Sequence, residues 1–367
     1  MSPQSHKHYV PFLKGKQGEF DALSKIGRDD REHLTPLIEI GPIEIDPKTG
    51  ANAESLDEAI EGVAAKIAKA WGSLDFCFVD LPEFEATARL EDGRHPVARF
   101  FEDSKAADLA ALPVTGLDRD ASQLEAVAET LSARSNGVAV RLRRPELQNP
   151  ASLEAELRRV ADALEVERQQ IDLLLDFGPI LKSEAATIRG EAEGAMQGLP
   201  DIDAWRSLTL CGGAFPKTVG TVVKPGKTGE IERREWQLWK GLIDGERLPR
   251  QPGFGDYGVA SPEWLLGFDS EVMSPAAKIV YTREKDWLVV RGRSLKKKSY
   301  GGYKQYRALS EQIVNSGSFR GSEHCWGDDY LAKCAKGEVG TGNLQTWVTV
   351  ATNHHLGVVA HELASLS

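Results

Sequence analysis

The chain has 367 residues, 41% of them hydrophobic and 27% charged. That is an ordinary globular balance, long enough for one large α/β domain with an appended segment or for two domains, and it argues against any long disordered tract. With 45 lysines and arginines against 55 acidic residues, the formal charge of −10 excludes sequence-independent wrapping of nucleic acid, which needs a broad basic footprint, and leaves room only for a local basic patch.

In chain order, short apolar, β-prone runs alternate with amphipathic stretches. The runs are HYVPFLK (8–14), LTPLIEI (34–40), DFCFVD (75–80), ALPVTG (111–116), GVAVRL (137–142), IDLLLD (171–176), SLTLCG (207–212) and FGDYGV (254–259). Between them QGEFDALSKI, ESLDEAIEGVAAKIAKAW, HPVARFFEDSKAADL, ASQLEAVAETLSARS, PASLEAELRRVADALEV and SEAATIRGEAEGAM space their apolar residues at three and four, as helices with one buried face do. Strands alternating with helices over about 250 residues predict an α/β fold, a (β/α)8 TIM-barrel-like domain over residues 1–275. A doubly wound open sheet is the alternative, although no GxGxxG turn follows the first strand. After residue 275 the texture changes. AKIVYTREKDWLVVRG reads as a β-hairpin and GYKQYRALSEQIVNS as a helix, so residues 276–367 are expected to form a C-terminal α+β extension packed on the barrel.

The cysteines Cys77, Cys211, Cys325 and Cys334 form no CxxC pair, which leaves a zinc ribbon or disulfide framework unsupported and fits reduced thiols. The opening MSPQSHKHYVPFLKGKQ lacks the apolar core of a signal peptide, and no run of eighteen apolar residues occurs, so a cytoplasmic protein without a membrane partner is expected.

The opening YVPFLKGKQGEFDAL followed by LTPLIEI, together with an ending in which WGDDYLA, GTGNLQTW and TNHHL appear in that order, resembles the phage beta protein family of phage genomes and bacterial mobile or defence-associated loci. The resemblance covers essentially the whole chain. It implies a phage- or defence-linked context and a barrel-like fold, and it assigns no catalytic residues.

Barrel enzymes build their sites at the C-terminal ends of the strands. Here those positions carry Lys14 and Lys16, Glu39, Asp80, Arg141 and Arg143, Asp176, and Asp256 with Tyr257. LIEI, FVDLPEF and LLLDFGP each set a carboxylate in or just after an apolar run, where a lone charge is costly unless it is paired or binds a cation. One expectation is that Glu39, Asp80 and Asp176 converge as catalytic oxygen ligands for Mg²⁺ or Mn²⁺, with Lys14, Arg141 and Arg143 holding an anionic substrate for phosphoester hydrolysis. The other is that they neutralise one another as a salt-bridge layer.

In VVRGRSLKKKSYGGYKQYR (289–307) basic residues interleave with tyrosines. Lys296, Lys297, Lys298 and Tyr303 are therefore candidates to extend an anion site toward nucleic acid or a nucleotide, with a solvated loop as the plain alternative. In TNHHLGVVAHEL (352–363) His354 and His361 share a helical face but sit roughly 10 Å apart along the axis, and His355 lies on another face, so this segment alone cannot build a zinc site. His354 is instead expected as a proton donor or phosphate contact, or simply packed within the fold. The functional expectation is a protein that binds or acts on a phosphate-bearing ligand. The alternative is a non-catalytic scaffold whose C-terminal surface binds a protein partner from a phage or defence locus.

Overall fold

The computed structural model describes residues 5–46, 49–72, 75–82, 87–134, 137–199, 201–245, 248–264 and 275–366. Eleven strands are present among them: β1 Tyr9–Leu13, β2 Leu37–Glu39, β3 Cys77–Asp80, β4 Ala111–Gly116, β5 Val138–Arg143, β6 Ile171–Pro179, β7 Ser207–Gly213, β8 Thr228–Glu232, β9 Gly253–Asp256, β10 Ala276–Thr282 and β11 Asp286–Ser294. Strands β1 to β7 and β9 close into a parallel barrel, β1 pairing with both β2 and β9, so the open-sheet alternative does not hold. Each of the eight apolar runs supplies one barrel strand.

Both faces of the strands are apolar because both are covered, as a parallel sheet with crossover helices requires. Val10, Phe12, Leu37, Phe78, Leu112 and Leu174 fill the barrel interior. Their alternate neighbours, among them Leu13, Ile38, Val79 and Leu173, pack beneath the helices. The expected helices form, with one division. Residues 54–71 split into Leu56–Ile60 and Val63–Trp71, because Gly62 between them takes a left-handed φ of +70° and breaks the ladder. Among the elements with no place in the sequence reading are strand β8 and the helix Arg234–Ile243, both between β7 and β9.

Strand β8 joins no barrel neighbour. It pairs antiparallel with β11, which also pairs with β10 in the expected hairpin, giving a three-stranded sheet of order β10-β11-β8. The C-terminal sheet thus takes a strand from within residues 1–275. The terminal helix Leu344–Ala364 ties the two parts further. Val348 packs so tightly on the helix Gln17–Leu23 that a Cβ on Gly18 would lie 2.9 Å from its Cγ1. Asn353 Nδ2 donates to the Ala22 carbonyl at 3.2 Å. Leu356, Val359 and Leu363 join the same core as the outer faces of the barrel strands, so this helix serves the barrel as an outer helix while its other side meets the C-terminal sheet. That two-sided burial explains why it carries no single apolar stripe. No described helix is long and apolar enough to cross a membrane.

Candidate functional site

The period of two along each strand decides which strand-end side chains enter the barrel. Continuing inward from Phe12, Leu37, Phe78, Ala139 and Leu174 brings Lys14, Glu39, Asp80, Arg141 and Asp176 into one layer at the C-terminal mouth, with Tyr257 added after β9. In the register of the sheet Glu39 stands beside Asp80, and Arg143 beside Asp176. Asp256, one residue earlier than Tyr257, takes the opposite face.

The three expected carboxylates do converge, and the point on which they converge is the Arg141 guanidinium. Nη1 donates to Glu39 Oε1 at 2.7 Å and to Asp80 Oδ2 at 2.8 Å. Nε and Nη2 donate to Asp176 Oδ2 at 2.9 and 2.6 Å, and Nη2 also reaches the Tyr257 hydroxyl at 2.6 Å. All five N–H donors of an arginine are therefore spent. Tyr257 closes the circuit, its hydroxyl donating to Asp176 Oδ2 at 2.7 Å. Arg119, from the loop after β4, clamps Asp80 from the other side at 3.1 Å. Two expectations are corrected by this geometry. Arg141 has no donor left for a substrate phosphate, and the cation that Glu39, Asp80 and Asp176 surround is a side chain of the chain itself rather than Mg²⁺ or Mn²⁺.

Burial of these groups is nearly complete, Arg141 being 2% exposed and Asp80 0%. Burial opposes charge on Arg141, but Tyr257, Asp176, Glu39 and Asp80 together outweigh it and hold the guanidinium well above its ordinary value. For Glu39 the balance goes the other way. Burial pushes its carboxyl up, Arg141 pulls it back, and Asp80 adds to the rise. Its Oε2 is buried without a hydrogen-bond partner. Lys14 donates to the Glu263 carbonyl at 2.7 Å and lies over the Trp264 ring, 4.5 Å from its centroid. Burial brings its ammonium down to about 8, against the pull of Glu39 and Glu19.

A cleft of about 550 Å³ opens over this layer, with Glu39, Arg141, Asp176 and Tyr257 among its lining and Arg143, Arg144, Lys217 and Trp264 around them. Arg143 pairs with Asp118 at 3.2 Å, Arg144 with Glu191 at 2.9 Å and Lys217 with Glu263 at 2.8 Å. The sequence reading did not single out Arg119, Arg144, Lys217 or Trp264. Arg119 and Arg144 sit just beyond strand ends, a signal that was available, whereas Lys217 and Trp264 come from loops whose path no periodicity marks.

The other candidates lie elsewhere. Lys296, Lys297 and Lys298 are exposed in the turn after β11, near Tyr300 and Tyr303, and none of them lines the cleft. Gly301 and Gly302 take left-handed φ values of +81° and +55°, so they serve the turn itself. His354 is fully buried between the terminal helix and the C-terminal sheet. Its neighbour His355 bridges the two parts of the molecule, with Nε2 2.9 Å from Asp256 Oδ2 and Nδ1 3.0 Å from Thr282 Oγ1.

A closed eight-stranded parallel barrel with a polar, arginine-centred layer at its C-terminal mouth defines the class, a (β/α)8 barrel protein with an appended α+β module. Among solved structures the chain is similar to a mutant tryptophan synthase alpha-subunit from Pyrococcus furiosus, with 12% identity over 71% of this chain and 89% of that one at a TM-score of 0.37. It is also similar to triosephosphate isomerase from Bartonella henselae, with 11% identity over 70% of this chain and 94% of that one at a TM-score of 0.24. No curated protein matches the sequence. The family model described as Beta protein matches residues 9–361, nearly the whole chain, and the protein belongs to that family.

Proposed function

We propose that the barrel mouth binds a small phosphate-bearing ligand of the nucleotide class, and that Glu39 carries a proton for a reaction on it, in the phage- or defence-linked setting that the family resemblance implies. The observation that carries this reading is Glu39 Oε2, a buried carboxylate oxygen without a partner in a side chain that lines the cleft. A carboxyl pushed upward by burial beside an arginine and a tyrosine has the environment of a general acid or base. Arg143, Arg144 and Lys217 supply the cations and Trp264 a flat apolar wall, a combination suited to phosphate plus base. Because Arg141 is saturated, its part is to position Glu39 and Asp176.

Calorimetric titration with inorganic phosphate and a panel of nucleoside mono-, di- and triphosphates tests this. Saturable binding that weakens at least about tenfold in Arg144→Glu and in Lys217→Glu is expected, while Glu39→Gln binds and loses turnover. Absence of binding by the wild-type protein overturns the proposal.

A second reading rests on the exposed Lys296, Lys297 and Lys298 beside Tyr300 and Tyr303, which are 37% and 40% exposed. They suit a single-stranded nucleic acid, with phosphates on the ammonium groups and bases on the rings. Replacing the three lysines by glutamate should then weaken oligonucleotide binding and flatten its salt dependence. Binding that is unchanged in this variant would remove the reading.

A further inference from the structure

A second set of donors converges away from the barrel mouth, where the terminal helix crosses the helix Trp326–Lys336. His354 lies midway along the first, Asp328 in the opening turn of the second, and His324 in the loop before it. One ligand atom from each lies within 4.8 Å of the other two.

The hydrogen bonds around His354 are those of a ligand in waiting. Nε2 lies 3.0 Å from the Thr282 carbonyl, which can only accept, so Nε2 carries a ring proton. Nδ1 faces Asp328 Oδ2 at 2.9 Å. Two lone pairs at that distance repel unless a proton or a cation lies between them. A metal-bound histidine commonly donates its other ring nitrogen to a backbone carbonyl, the role Thr282 fills here.

Two further atoms point to a ligand. Asp328 is 0% exposed and its Oδ1 makes no hydrogen bond of ordinary geometry, although the Tyr281 hydroxyl lies near enough to help hold the carboxyl down, and the buried Nε2 of His324 has no partner either. Cys325 adds a sulfur 3.4 Å from Asp328 Oδ2 and 4.0 Å from His354 Nδ1. Tetrahedral zinc with bonds of about 2.0–2.3 Å separates its ligands by roughly 3.3–3.8 Å, so His324, Asp328 and His354, within 4.8 Å of one another, must draw closer on binding and Cys325 must turn toward them.

The fold holds these groups deliberately close. A Cβ on Gly327 would lie 2.6 Å from the Val350 carbonyl oxygen, so only glycine lets the two helices approach this far. The Gly327 amide also donates to Asn353 Oδ1 at 2.8 Å, which fixes the register that sets His354 against Asp328.

We propose that His324, Asp328 and His354, with Cys325 as the fourth donor, form a binding site for one divalent transition-metal ion, zinc by its ligand chemistry. The mixed nitrogen, oxygen and sulfur set disfavours Mg²⁺ and Ca²⁺, which prefer oxygen alone. The ion would join the loop before the helix Trp326–Lys336, that helix, and the terminal helix.

The test uses the full chain, stripped with a chelator and titrated with Co²⁺ and Zn²⁺. One equivalent of Co²⁺ should bind with the visible bands of tetrahedral coordination and a sulfur-to-metal charge-transfer band, and Zn²⁺ should displace it. His324→Ala is the informative variant, because His324 is half-buried and its Nε2 bonds to nothing in the fold. Its affinity should fall by more than the roughly 10–100-fold that loss of an outer-shell partner costs. Cys325→Ser should bind the metal but lose the charge-transfer band. Zinc should raise the melting temperature of the wild-type protein and leave that of His324→Ala unchanged. Binding below one equivalent, or binding that His324→Ala retains in full, overturns the assignment.

Discussion

The barrel mouth and the crossing of the two C-terminal helices pose the same electrostatic problem and answer it differently. At the mouth, Glu39, Asp80 and Asp176 gather around Arg141, which spends every donor on them and on Tyr257. At the helix crossing, His324, Asp328 and His354 converge with no lysine or arginine among them. Convergent Lewis bases in a low-dielectric interior need a positive charge. One region takes it from its own sequence, and the other is left to obtain it from a proton or an ion. Glu235 stands between the two cases. Its Oε2 accepts from the Ala214 amide at 3.1 Å, Arg233 comes no closer than 3.9 Å, and Asp256 contributes a like charge. Burial, with Asp256, pushes this carboxyl up to about 8, so the answer there is a proton.

The largest effect is expected from removing the internal cation. Arg141→Met leaves buried carboxylates without their counter-charge and should cost about 3–5 kcal/mol in urea denaturation. Arg141→Ala sharpens the comparison, since millimolar Mg²⁺ or Mn²⁺ should then raise its melting temperature and leave the wild-type value unmoved. A loss below about 1 kcal/mol would mean that the mouth does not depend on its arginine.

Next in size is Gly327→Ala, where the added methyl meets backbone at the helix crossing. Overpacking of this kind costs about 1–3 kcal/mol. Thermal denaturation should show the loss, and an unchanged melting temperature would mean that the two helices are not held at their limit of approach.

Glu235→Gln tests the proton. The native carboxyl keeps its proton up to about pH 8, whereas the unfolded chain releases it near the ordinary glutamate value of 4.5. This contribution is therefore complete below pH 4.5 and is lost progressively as the pH rises to about 8, at most roughly 1.4 kcal/mol per pH unit. The variant should show a smaller fall in melting temperature between pH 5 and pH 8.5 than the wild-type protein. Equal falls would place the proton elsewhere.

The smallest effect belongs to the exposed turn. Replacing Lys296, Lys297 and Lys298 by glutamate should shift stability by less than about 0.5 kcal/mol per site, as surface changes do. A larger loss would reveal a structural role for the segment.

Much of the barrel was legible because its signals are local. Apolar runs of strand length and helices with spaced apolar faces follow from burial on both sides of a parallel sheet, and each run became a strand. The strand-end rule listed Glu39, Asp80, Arg141 and Asp176 among the candidates without any coordinates, and the period of two, once the strand bounds are known, separates them from Asp256. Their distribution of roles was not legible. Whether a carboxylate meets a metal or an arginine depends on which side chain reaches the barrel axis, and Gly116, beside Arg141 in the register, has no side chain to compete there.

The sequence by itself determined the alternation of elements, the polar character of the strand ends and the membership of the family. It also argued against a metal site built from TNHHLGVVAHEL alone, because helix geometry separates its histidines. Only the tertiary structure decided that β8 belongs to the C-terminal sheet, that the terminal helix is an outer helix of the barrel, and that His354 meets Asp328 and His324 from another segment. Those are contacts between residues distant in sequence, set by how packed surfaces fit together, and no local periodicity encodes them.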